Sequence, residues 1–274
     1  MGARCTDKAV ILARGLGTRM RRADASSALD PQQAAIAETG VKALIPMERP
    51  FLDYVLTTLA DTGYRHVCLV VGPRHDAIRK YYLQEVEVRR LRVDFAVQQE
   101  PKGTADAVAA AEKFAGGDSF IMLNSDDYYP PEALRPLNDG NGCSVALFEM
   151  KSMLDGSNIS ADRLKQFAVG KIDDRGFLER VIEKPNEKTL AAMPRPLWLS
   201  MNCWRFNASI FDACRAIKPS PRGELEIPDA VQYTIDVLGQ PFPVVTVRAP
   251  VLDLSSRQDI APVAARLAGM EVSL

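Results

Sequence analysis

Short apolar runs alternate with amphipathic helical patterns along most of this sequence. The runs predict strands at residues 9–13, 66–72, 93–98, 119–124, 144–149, 198–206 and 243–247. The patterns between many of them predict helices at residues 51–62, 76–86, 104–114, 209–217, 229–238 and 257–267. Continuous apolar strands separated by helices are typical of a mostly parallel sheet that is covered on both faces. The sequence therefore predicts an α/β fold.

One pair of strand-like segments departs from this alternation. Residues 167–172 and 177–182 flank the turn sequence Asp173-Asp174-Arg175-Gly176, which is typical of a β-hairpin. The sheet is therefore expected to be mixed, with antiparallel strands in its second half. No repeat, low-complexity tract or obvious linker divides the 274 residues, so we expect a single domain.

The charge balance excludes several classes of partner. The formal net charge is -1, so we expect no broad basic surface for nucleic acid or an anionic membrane. No apolar stretch reaches membrane-spanning length, and no secretory leader precedes Val10. Five scattered cysteines without a C-x-x-C pair indicate reduced thiols in a cytoplasmic protein. Residues 1–6 match a loose myristoylation pattern, which we interpret as a frayed terminus.

A glycine-containing loop follows the first predicted strand. Gly15 and Gly17 lack a Cβ atom, so their backbone N–H groups can approach a phosphate closely, and Arg19 adds a cation suited to phosphate oxygens. Met20 stands where a dinucleotide-binding loop has its third glycine, and no G-K-[ST] follows, so the two commonest glycine loops are excluded. A tight turn without a ligand is the alternative interpretation of the glycine pair.

This loop also begins an ordered set of motifs that resembles one family. The sequence LARGLGTRM at residues 12–20 resembles the L-A-G-G-x-G-T-R-[LM] opening of the sugar-1-phosphate nucleotidyltransferases, although Arg14 departs from it. Ser125, in the segment LNSDDYY at 123–129, likewise stands where the family usually has a glycine. Further resembling segments follow in family order: VKALIPMERPFLDYVL at 41–56, QQEPKGTADAV at 98–108, LNSDDYY at 123–129, VIEKP at 181–185, RGELEIPD at 222–229 and VLDLSS at 251–256.

The resemblance implies a Rossmann-like three-layer α/β/α nucleotidyltransferase fold with a hairpin in its sugar-binding part. It divides the single domain, 1–274, into a nucleotide-binding half at about 1–125, a sugar-phosphate-binding half at about 126–256 and a closing helix at 257–274. The implied reaction joins a nucleoside triphosphate to a sugar 1-phosphate and releases pyrophosphate. Because the family often forms dimers or tetramers, a homo-oligomer is possible, but no sequence feature identifies an interface.

The resemblance also implies a Mg²⁺ site. Asp126 and Asp253 would hold the ion, and Asp127 is the alternative ligand. Mg²⁺ prefers hard oxygen ligands and keeps several waters, so two carboxylates and the substrate phosphates are sufficient. An aspartate that follows a strand can instead be a helix cap or a turn residue.

The remaining site residues are assigned by the same resemblance. The catalytic cations are Arg19, Lys42 and Lys184. The nucleotide-binding residues are Ala13, Gly15, Gly17, Thr18, Gln98, Gly103 and Thr104, with Gln99 as an alternative to Gln98. The sugar-phosphate-binding residues are Glu183, Lys184 and Asn202, whereas Trp204 could equally be a core residue or a ligand platform. The motif GTADAV also occurs in ADP-glucose pyrophosphorylases, and this favours ATP as the nucleotide substrate.

The sequence leaves three questions open. The chain could act on a non-sugar phosphate, of phosphocholine or cyclitol type, or be a non-catalytic regulatory nucleotide-binding homologue. The presence of Asp126, Asp253 and Arg19 favours catalysis, whereas Arg14 and Ser125 depart from the family pattern. The polar segment 21–41, with a predicted helix at 31–38, is either a functional lid or an idle insertion.

Overall fold

The computed structural model describes residues 6–22, 24, 27, 29–140 and 142–274. Residues 1–5, which include Cys5 and most of the myristoylation pattern, lie outside the described residues. Eleven strands are present in the described part: β1 Lys8–Leu12, β2 His66–Val71, β3 Arg92–Val97, β4 Phe120–Asn124, β5 Asp127–Tyr128, β6 Ser144–Glu149, β7 Val169–Ile172, β8 Leu178–Ile182, β9 Trp198–Phe206, β10 Val244–Val247 and β11 Leu252–Asp253.

The α-helices of the described residues are α1 Thr18–Arg21, α2 Pro31–Thr39, α3 Phe51–Asp61, α4 Asp76–Lys80, α5 Thr104–Ala110, α6 Glu112–Ala115, α7 Pro131–Asn138, α8 Met150–Gly156, α9 Ala161–Leu164, α10 Glu187–Ala192, α11 Ser209–Ala216, α12 Ile227–Asp236 and α13 Ile260–Leu267. A π-helical turn, Tyr81–Glu85, continues α4, and 3₁₀ turns lie at Lys42–Leu44 and Arg257–Asp259. No helix of the described residues is long and apolar enough to cross a bilayer.

The main sheet is mixed. Its strand order is β10-β6-β9-β4-β1-β2-β3, with β7 paired to β9 and β8 to β7. Strands β4, β1, β2 and β3 run parallel, whereas β9 is antiparallel to both β4 and β6. The predicted hairpin is confirmed as β7 and β8. The carboxyl ends of β1, β2, β3 and β4 therefore meet at one edge, where open α/β sheets bind their ligands.

Two apolar cores lie on opposite faces of this sheet. On β1, Val10 packs in one core and its neighbour Ile11 in the other, because successive side chains of a strand point to opposite faces. Helices α5, α11 and α12 cover the first core, and α3, α7 and α13 cover the second. The three-layer α/β/α architecture predicted from the sequence is therefore confirmed.

The structure corrects several element boundaries. The predicted helix 104–114 is interrupted at Ala111, and helices α7, α8, α9 and α10 were not predicted. The predicted strand at 243–247 is confirmed as β10, Val244–Val247, whereas the two-residue strand β11 was not predicted. Pro250 lies between them and has no N–H to continue a ladder of hydrogen bonds.

Candidate active site

The glycine loop follows β1 and is shaped by two different requirements. Gly17 has a φ of 60°, and a Cβ atom there would collide with the Gly40 carbonyl oxygen. A Cβ atom on Gly15 would have no neighbour within 4 Å. Packing therefore requires the glycine at position 17, whereas the space beside Gly15 is open to a ligand.

The segment that contains α2 and precedes Lys42 packs against the glycine loop. The predicted helix is confirmed as α2, whose cap Asp30 accepts a hydrogen bond from the Gln33 backbone at 2.8 Å. The Arg21 guanidinium donates to the Thr39 carbonyl oxygen through Nε at 3.1 Å and Nη2 at 2.8 Å. Arg257 Nε also donates to the Met20 carbonyl oxygen at 2.9 Å. The loop is thus held from two directions.

A second loop follows β3 and carries the residues predicted to read the base. The buried Gln98 donates through Nε2 to the Gly103 carbonyl oxygen at 2.9 Å and to Asp106 Oδ2 at 2.8 Å. Gly103 has a φ of 115°, and a Cβ atom there would collide with the Leu225 backbone. Thr104 begins α5, as predicted, and its Oγ1 accepts from the Ile227 backbone at 2.8 Å. The base-reading loop therefore packs directly on the second half of the chain.

Arg14, the departure from the family pattern, connects these two loops. Its Nε donates to the Gln98 carbonyl oxygen at 2.9 Å and its Nη2 to the Gln99 carbonyl oxygen at 3.2 Å. A glycine or alanine could make neither contact. The substitution thus adds a tie between the glycine loop and the base-reading loop.

A cavity of about 470 Å³ lies between the two loops. Six of the predicted nucleotide-binding residues line it: Gly15, Gly17, Thr18, Gln98, Gly103 and Thr104. Asp126 and Asn202 also line this cavity. The seventh, Ala13, lines an adjoining space of about 50 Å³ together with Lys42, His75 and Asp126.

The two predicted metal ligands meet because of a short strand pair outside the main sheet. Asp126 follows β4, and β5 begins immediately after it. β11 pairs antiparallel with β5, which places Asp253 opposite Asp127. The Leu254 N–H donates to the Asp126 carbonyl oxygen at 2.8 Å. This register brings Asp126 and Asp253 to the same edge despite their separation in sequence.

Lys42 lies against the first of these carboxylates. Its Nζ forms an ion pair with Asp126 Oδ2 at 2.8 Å. Burial lowers the pKa of Lys42, but the carboxylates of Asp126, Asp253 and Asp127 together raise that pKa above its ordinary value. Lys42 is therefore a fixed cation at this edge and not a proton donor near neutral pH.

Asp253 is held in a different environment. It is 5% exposed, its Oδ1 accepts from Arg163 Nη2, and its Oδ2 accepts from Ser255 Oγ at 3.0 Å. Arg163 also donates to Asp259 Oδ1 at 2.7 Å, and Asn158 fixes the Asp253 backbone by two hydrogen bonds of 2.7 and 2.9 Å. Burial, followed by the Asp126 charge, raises the pKa of Asp253.

Asp127 adds a third carboxyl to this edge. It is 3% exposed, and burial and then the Asp126 and Asp253 charges raise its pKa well above the usual range. Its Oδ2 accepts from Asn124 Nδ2 at 2.9 Å and from the Tyr129 hydroxyl at 3.2 Å. Its Oδ1 is buried with no hydrogen-bond partner among the described residues. An unsatisfied carboxyl oxygen beside two further carboxyls favours a cation there.

The donor set fits Mg²⁺, which prefers oxygen ligands and takes few of them from protein. Within the described part of the chain, no group of three or more His, Cys, Asp or Glu side chains is arranged to hold a metal by itself. A Mg²⁺ ion held here by Asp126 and Asp253 would thus need substrate oxygens or water to complete its shell.

A second cavity, of about 500 Å³, lies on the other side of Asp253. Three cationic residues line it: Arg19, Arg163 and Lys184. Arg19 therefore lies in the same cavity as Lys184, and not in the cavity between the glycine loop and the base-reading loop. Such a concentration of positive charge is suited to phosphate groups.

Two of the predicted sugar-phosphate residues have strained backbone. Among the described residues, Lys184 and Asn202 are the non-glycine residues with positive φ, at 42° and 55°. Asn202 lies where the register of β6 and β9 shifts, and such a bulge re-aims a side chain. Strain of this kind is concentrated at ligand-binding sites, because the fold must hold these residues in place.

Trp204 is a core residue and not a ligand platform. It is fully buried, stacks on Phe206 with ring centroids 6.0 Å apart, and donates from Nε1 to Asn202 Oδ1 at 3.2 Å.

Glu183 lines neither large cavity. Its pKa is raised by partial desolvation and by the Glu226 carboxylate, an effect that Arg222 and Lys184 oppose.

Sequence reasoning missed three side chains of this site. Asp106 lies within the GTADAV motif and was not assigned a role, although it contacts Gln98. Arg163 and Asn158, which hold Asp253, lie in a region where no sequence pattern was found. A polar residue in a recognisable motif could have identified Asp106, whereas the other two contacts depend on tertiary packing alone.

Comparisons with known proteins bear on the family of this chain. A family model described as nucleotidyl transferase matches residues 8–240. A low-salt glycan biosynthesis nucleotidyltransferase of Haloferax volcanii is 28% identical over 84% of the chain, and a glucose-1-phosphate thymidylyltransferase of Streptomyces griseus is 30% identical over 84%. The chain spans 57% of the length of each of these two relatives.

The fold is also similar to a solved structure. A UDP-glucose pyrophosphorylase complexed with UDP-glucose superposes with a TM-score of 0.72 at 17% identity. The match covers 97% of this chain and 100% of that one. The architecture is thus the same from end to end.

Proposed function

The chain belongs to the nucleotidyl transferase family, and on that premise we propose that it transfers a nucleotidyl group from a nucleoside triphosphate to a sugar 1-phosphate. The products are a nucleoside diphosphate sugar and pyrophosphate. The two relatives above carry names that fit this reaction, since one is a glucose-1-phosphate thymidylyltransferase and the other a nucleotidyltransferase of glycan biosynthesis.

One observation supports this function most strongly. The register of β5 and β11 places Asp126 and Asp253 together, between a cavity lined by the glycine loop and a cavity lined by three cationic residues. The first cavity fits the nucleoside, and the second, lined by Arg19 and Lys184, fits the departing pyrophosphate and the phosphate of the acceptor. Two polyanions must meet for the reaction, so charge repulsion is the main obstacle, and this edge supplies cations from both sides.

We propose that Gly15 and Gly17 admit the triphosphate and that Gln98 and Gly103 contact the base. Lys42 would stabilise the charge that develops on the α-phosphate, because its Nζ already lies 2.8 Å from Asp126 at this edge. Arg19 would bind the departing pyrophosphate, and Lys184 would hold the attacking sugar phosphate from the second cavity. Asn202, which lines the first cavity, is the proposed contact for a sugar hydroxyl, whereas Glu183 lines neither cavity and is proposed to act through the neighbouring charge of Lys184.

Mg²⁺ is the proposed cofactor, held by Asp126 and Asp253. When bound, it would neutralise charge on the phosphate oxygens without a covalent intermediate. The buried, unpartnered Asp127 Oδ1 supports a cation at this edge. Every other contribution, namely positioning, charge and exclusion of water, comes from side chains of the chain itself.

The test is a screen of the five common nucleoside triphosphates against a panel of phosphates. The panel includes sugar 1-phosphates, a cyclitol phosphate and phosphocholine. Pyrophosphate release is followed with Mg²⁺ present, and each product is identified by its mass. The proposal requires an NDP-sugar from at least one pair, and exclusive use of a non-sugar phosphate would contradict it.

A matched preparation of Lys42→Met controls for contaminating enzymes. Methionine keeps the length of the side chain but removes the charge beside Asp126. Turnover should fall by about 10²-fold, as for the loss of one transition-state contact. Equal turnover by both preparations would assign the activity to a contaminant.

A further inference from the structure

We propose that Asp106 is a positioning residue that sets the preference for the nucleotide base, by holding the Gln98 amide so that its carbonyl oxygen is the group offered to the base. This inference rests on the proposed function, since it concerns the nucleotide half of that same site. It assigns a role to a side chain that neither touches a phosphate nor binds a metal.

The contacts of the Gln98 amide carry the inference. A glutamine amide has two N–H hydrogens and one carbonyl oxygen. The Gln98 Nε2 donates to the Gly103 carbonyl oxygen at 2.9 Å and to Asp106 Oδ2 at 2.8 Å, so both hydrogens are used. Both partners are acceptors, which fixes the identity of the nitrogen. Among the described residues, no donor forms a hydrogen bond to the Gln98 side-chain oxygen, Oε1.

The backbone of the same residue is held independently. The Gln98 N–H donates to the Val71 carbonyl oxygen at 3.0 Å, and its carbonyl oxygen accepts from Arg14 Nε at 2.9 Å. The residue is 4% exposed and lines the cavity between the glycine loop and the base-reading loop. The remaining freedom is therefore rotation of the amide, and Asp106 supplies the charged contact that restricts it.

A fixed acceptor discriminates between bases by their ring nitrogens. Uracil, thymine and guanine carry a proton on the ring nitrogen of their pairing edge, whereas adenine and cytosine have a bare nitrogen there. A base that meets the Gln98 oxygen through a ring N–H gains a hydrogen bond, and one that presents a bare nitrogen leaves two acceptors facing each other. An unmatched polar group in a buried site is costly, so the orientation of one amide can decide the preference.

A simpler role for Asp106 is to stabilise α5. An acidic residue in the first turn of a helix interacts favourably with the helix dipole. That role would lower stability on substitution but would leave the relative use of different bases unchanged. The two explanations therefore differ in a measurable ratio.

The experiment compares wild type with Asp106→Ala, Asp106→Asn and a matched control, Glu112→Gln. Glu112 is also in a first helical turn and also accepts a charged hydrogen bond, from Arg215 at 2.7 Å, but Arg215 does not line the cavity, whereas Gln98, the partner of Asp106, does. For each protein, kcat/KM is measured for UTP, dTTP, GTP, ATP and CTP with the best sugar 1-phosphate. Calorimetric titration of the same triphosphates gives affinities that do not depend on turnover.

We expect wild type to prefer a triphosphate with a ring N–H, in contrast to the ATP that the GTADAV motif favours. Asp106→Ala should reduce that preference over ATP and CTP by about 10-fold or more, since a hydrogen bond to a charged group contributes about 1.5–3 kcal/mol. Asp106→Asn keeps an acceptor oxygen and should retain part of the preference. The KM for the sugar phosphate should not change, and Glu112→Gln should match wild type.

Several results would overturn the inference. These are a wild type that prefers ATP or CTP, an Asp106→Ala protein that loses activity equally with all bases, and affinities whose ratios do not change. If wild type shows selective binding that Asp106→Ala loses but forms no NDP-sugar, the proposed function fails and the role of Asp106 stands. A wild type that binds no nucleotide would contradict both.

Discussion

The two halves of this site are built in different ways. In the half that we propose to bind the nucleotide (the nucleotide half), the site residues lie in glycine-containing loops at the carboxyl ends of β1 and β3, which belong to one parallel set of strands. In the half that we propose to bind the sugar phosphate (the sugar-phosphate half), they lie at the end of the β7–β8 hairpin, at a bulge in β9 and on the two-residue strand β11. The first half uses regular elements, and the second uses irregular backbone.

The two halves hold their backbone at positive φ in different ways. Gly17 and Gly103 have positive φ at no steric cost, and their missing Cβ atoms let another segment of backbone approach. Lys184 and Asn202 have positive φ although they carry side chains, so tertiary contacts must hold them there. Close packing shapes the nucleotide half, whereas backbone strain shapes the sugar-phosphate half.

The largest expected effect lies where the halves meet. Asp126→Asn should lower turnover by about 10²-fold or more with the fold intact, because the carboxylate that we propose as a ligand of the catalytic cation is lost. Pyrophosphate release at saturating substrates measures the effect, and thermal unfolding checks the fold. Asp118→Asn, in an exposed ion pair with Lys8, is the control. Unchanged turnover with Mg²⁺ would eliminate the metal assignment.

The packing requirement of the nucleotide half can be tested with two glycines of positive φ. Gly103→Ala introduces both backbone strain and a collision with Leu225, whereas Gly176→Ala, in the hairpin turn, introduces strain with open space around the new methyl group. We expect a loss in the free energy of unfolding of about 3 kcal/mol for the first and about 1 kcal/mol for the second. Urea denaturation measures both, and equal losses would mean that close approach is unimportant at Gly103.

The sugar-phosphate half should respond to the loss of one cation. Lys184→Ala should raise the KM for the sugar phosphate by about 10-fold and leave the KM for the nucleotide nearly unchanged. Lys188→Ala, in the exposed helix α10, serves as the control. Initial rates over a grid of both substrates separate the two constants. An effect confined to the nucleotide would reverse the assignment of the two cavities.

The smallest expected effect is a pH dependence in the nucleotide half. Burial, with the charges of Arg14 and Arg79, lowers the pKa of His75 below its ordinary value of 6.5, and its Nδ1 accepts from the Gly72 backbone at 2.9 Å. The unfolded chain therefore binds the proton first as the pH falls. The stability that this interaction provides is present above about pH 6.5 and is lost as the pH falls through the folded-state pKa.

A neutral replacement isolates this contribution. His75→Asn can still accept from the Gly72 backbone but does not titrate, so its stability should depend less on pH below pH 6.5 than the stability of wild type does. Urea denaturation between about pH 5 and pH 7.5 measures the difference, a range that brackets the unperturbed pKa of histidine. A variant with the same slope as wild type would exclude His75 as the source.

The sequence alone predicted most of the regular structure. Strands β1, β2 and β4 of the parallel set contain short continuous apolar runs, and such runs have few alternatives to burial on both faces of a sheet. The hairpin was predicted because its turn residues lie between two alternating segments. The short helices α7 to α10 were missed, since four to eight residues give too little periodicity to identify a helix.

The candidate site, like the fold, could be predicted from the sequence only in part. Local motifs were sufficient to select Gly15, Gly17, Gln98 and Asp126, because each follows a strand that periodicity already places. The resemblance implied that Asp253 joins Asp126, but only the tertiary structure shows that the pairing of two strands of two residues each brings them together, and that Arg163 and Asp106 hold the surrounding side chains. Those contacts join segments far apart in the chain, and neither hydrophobic periodicity nor turn chemistry records which distant segments will pack together.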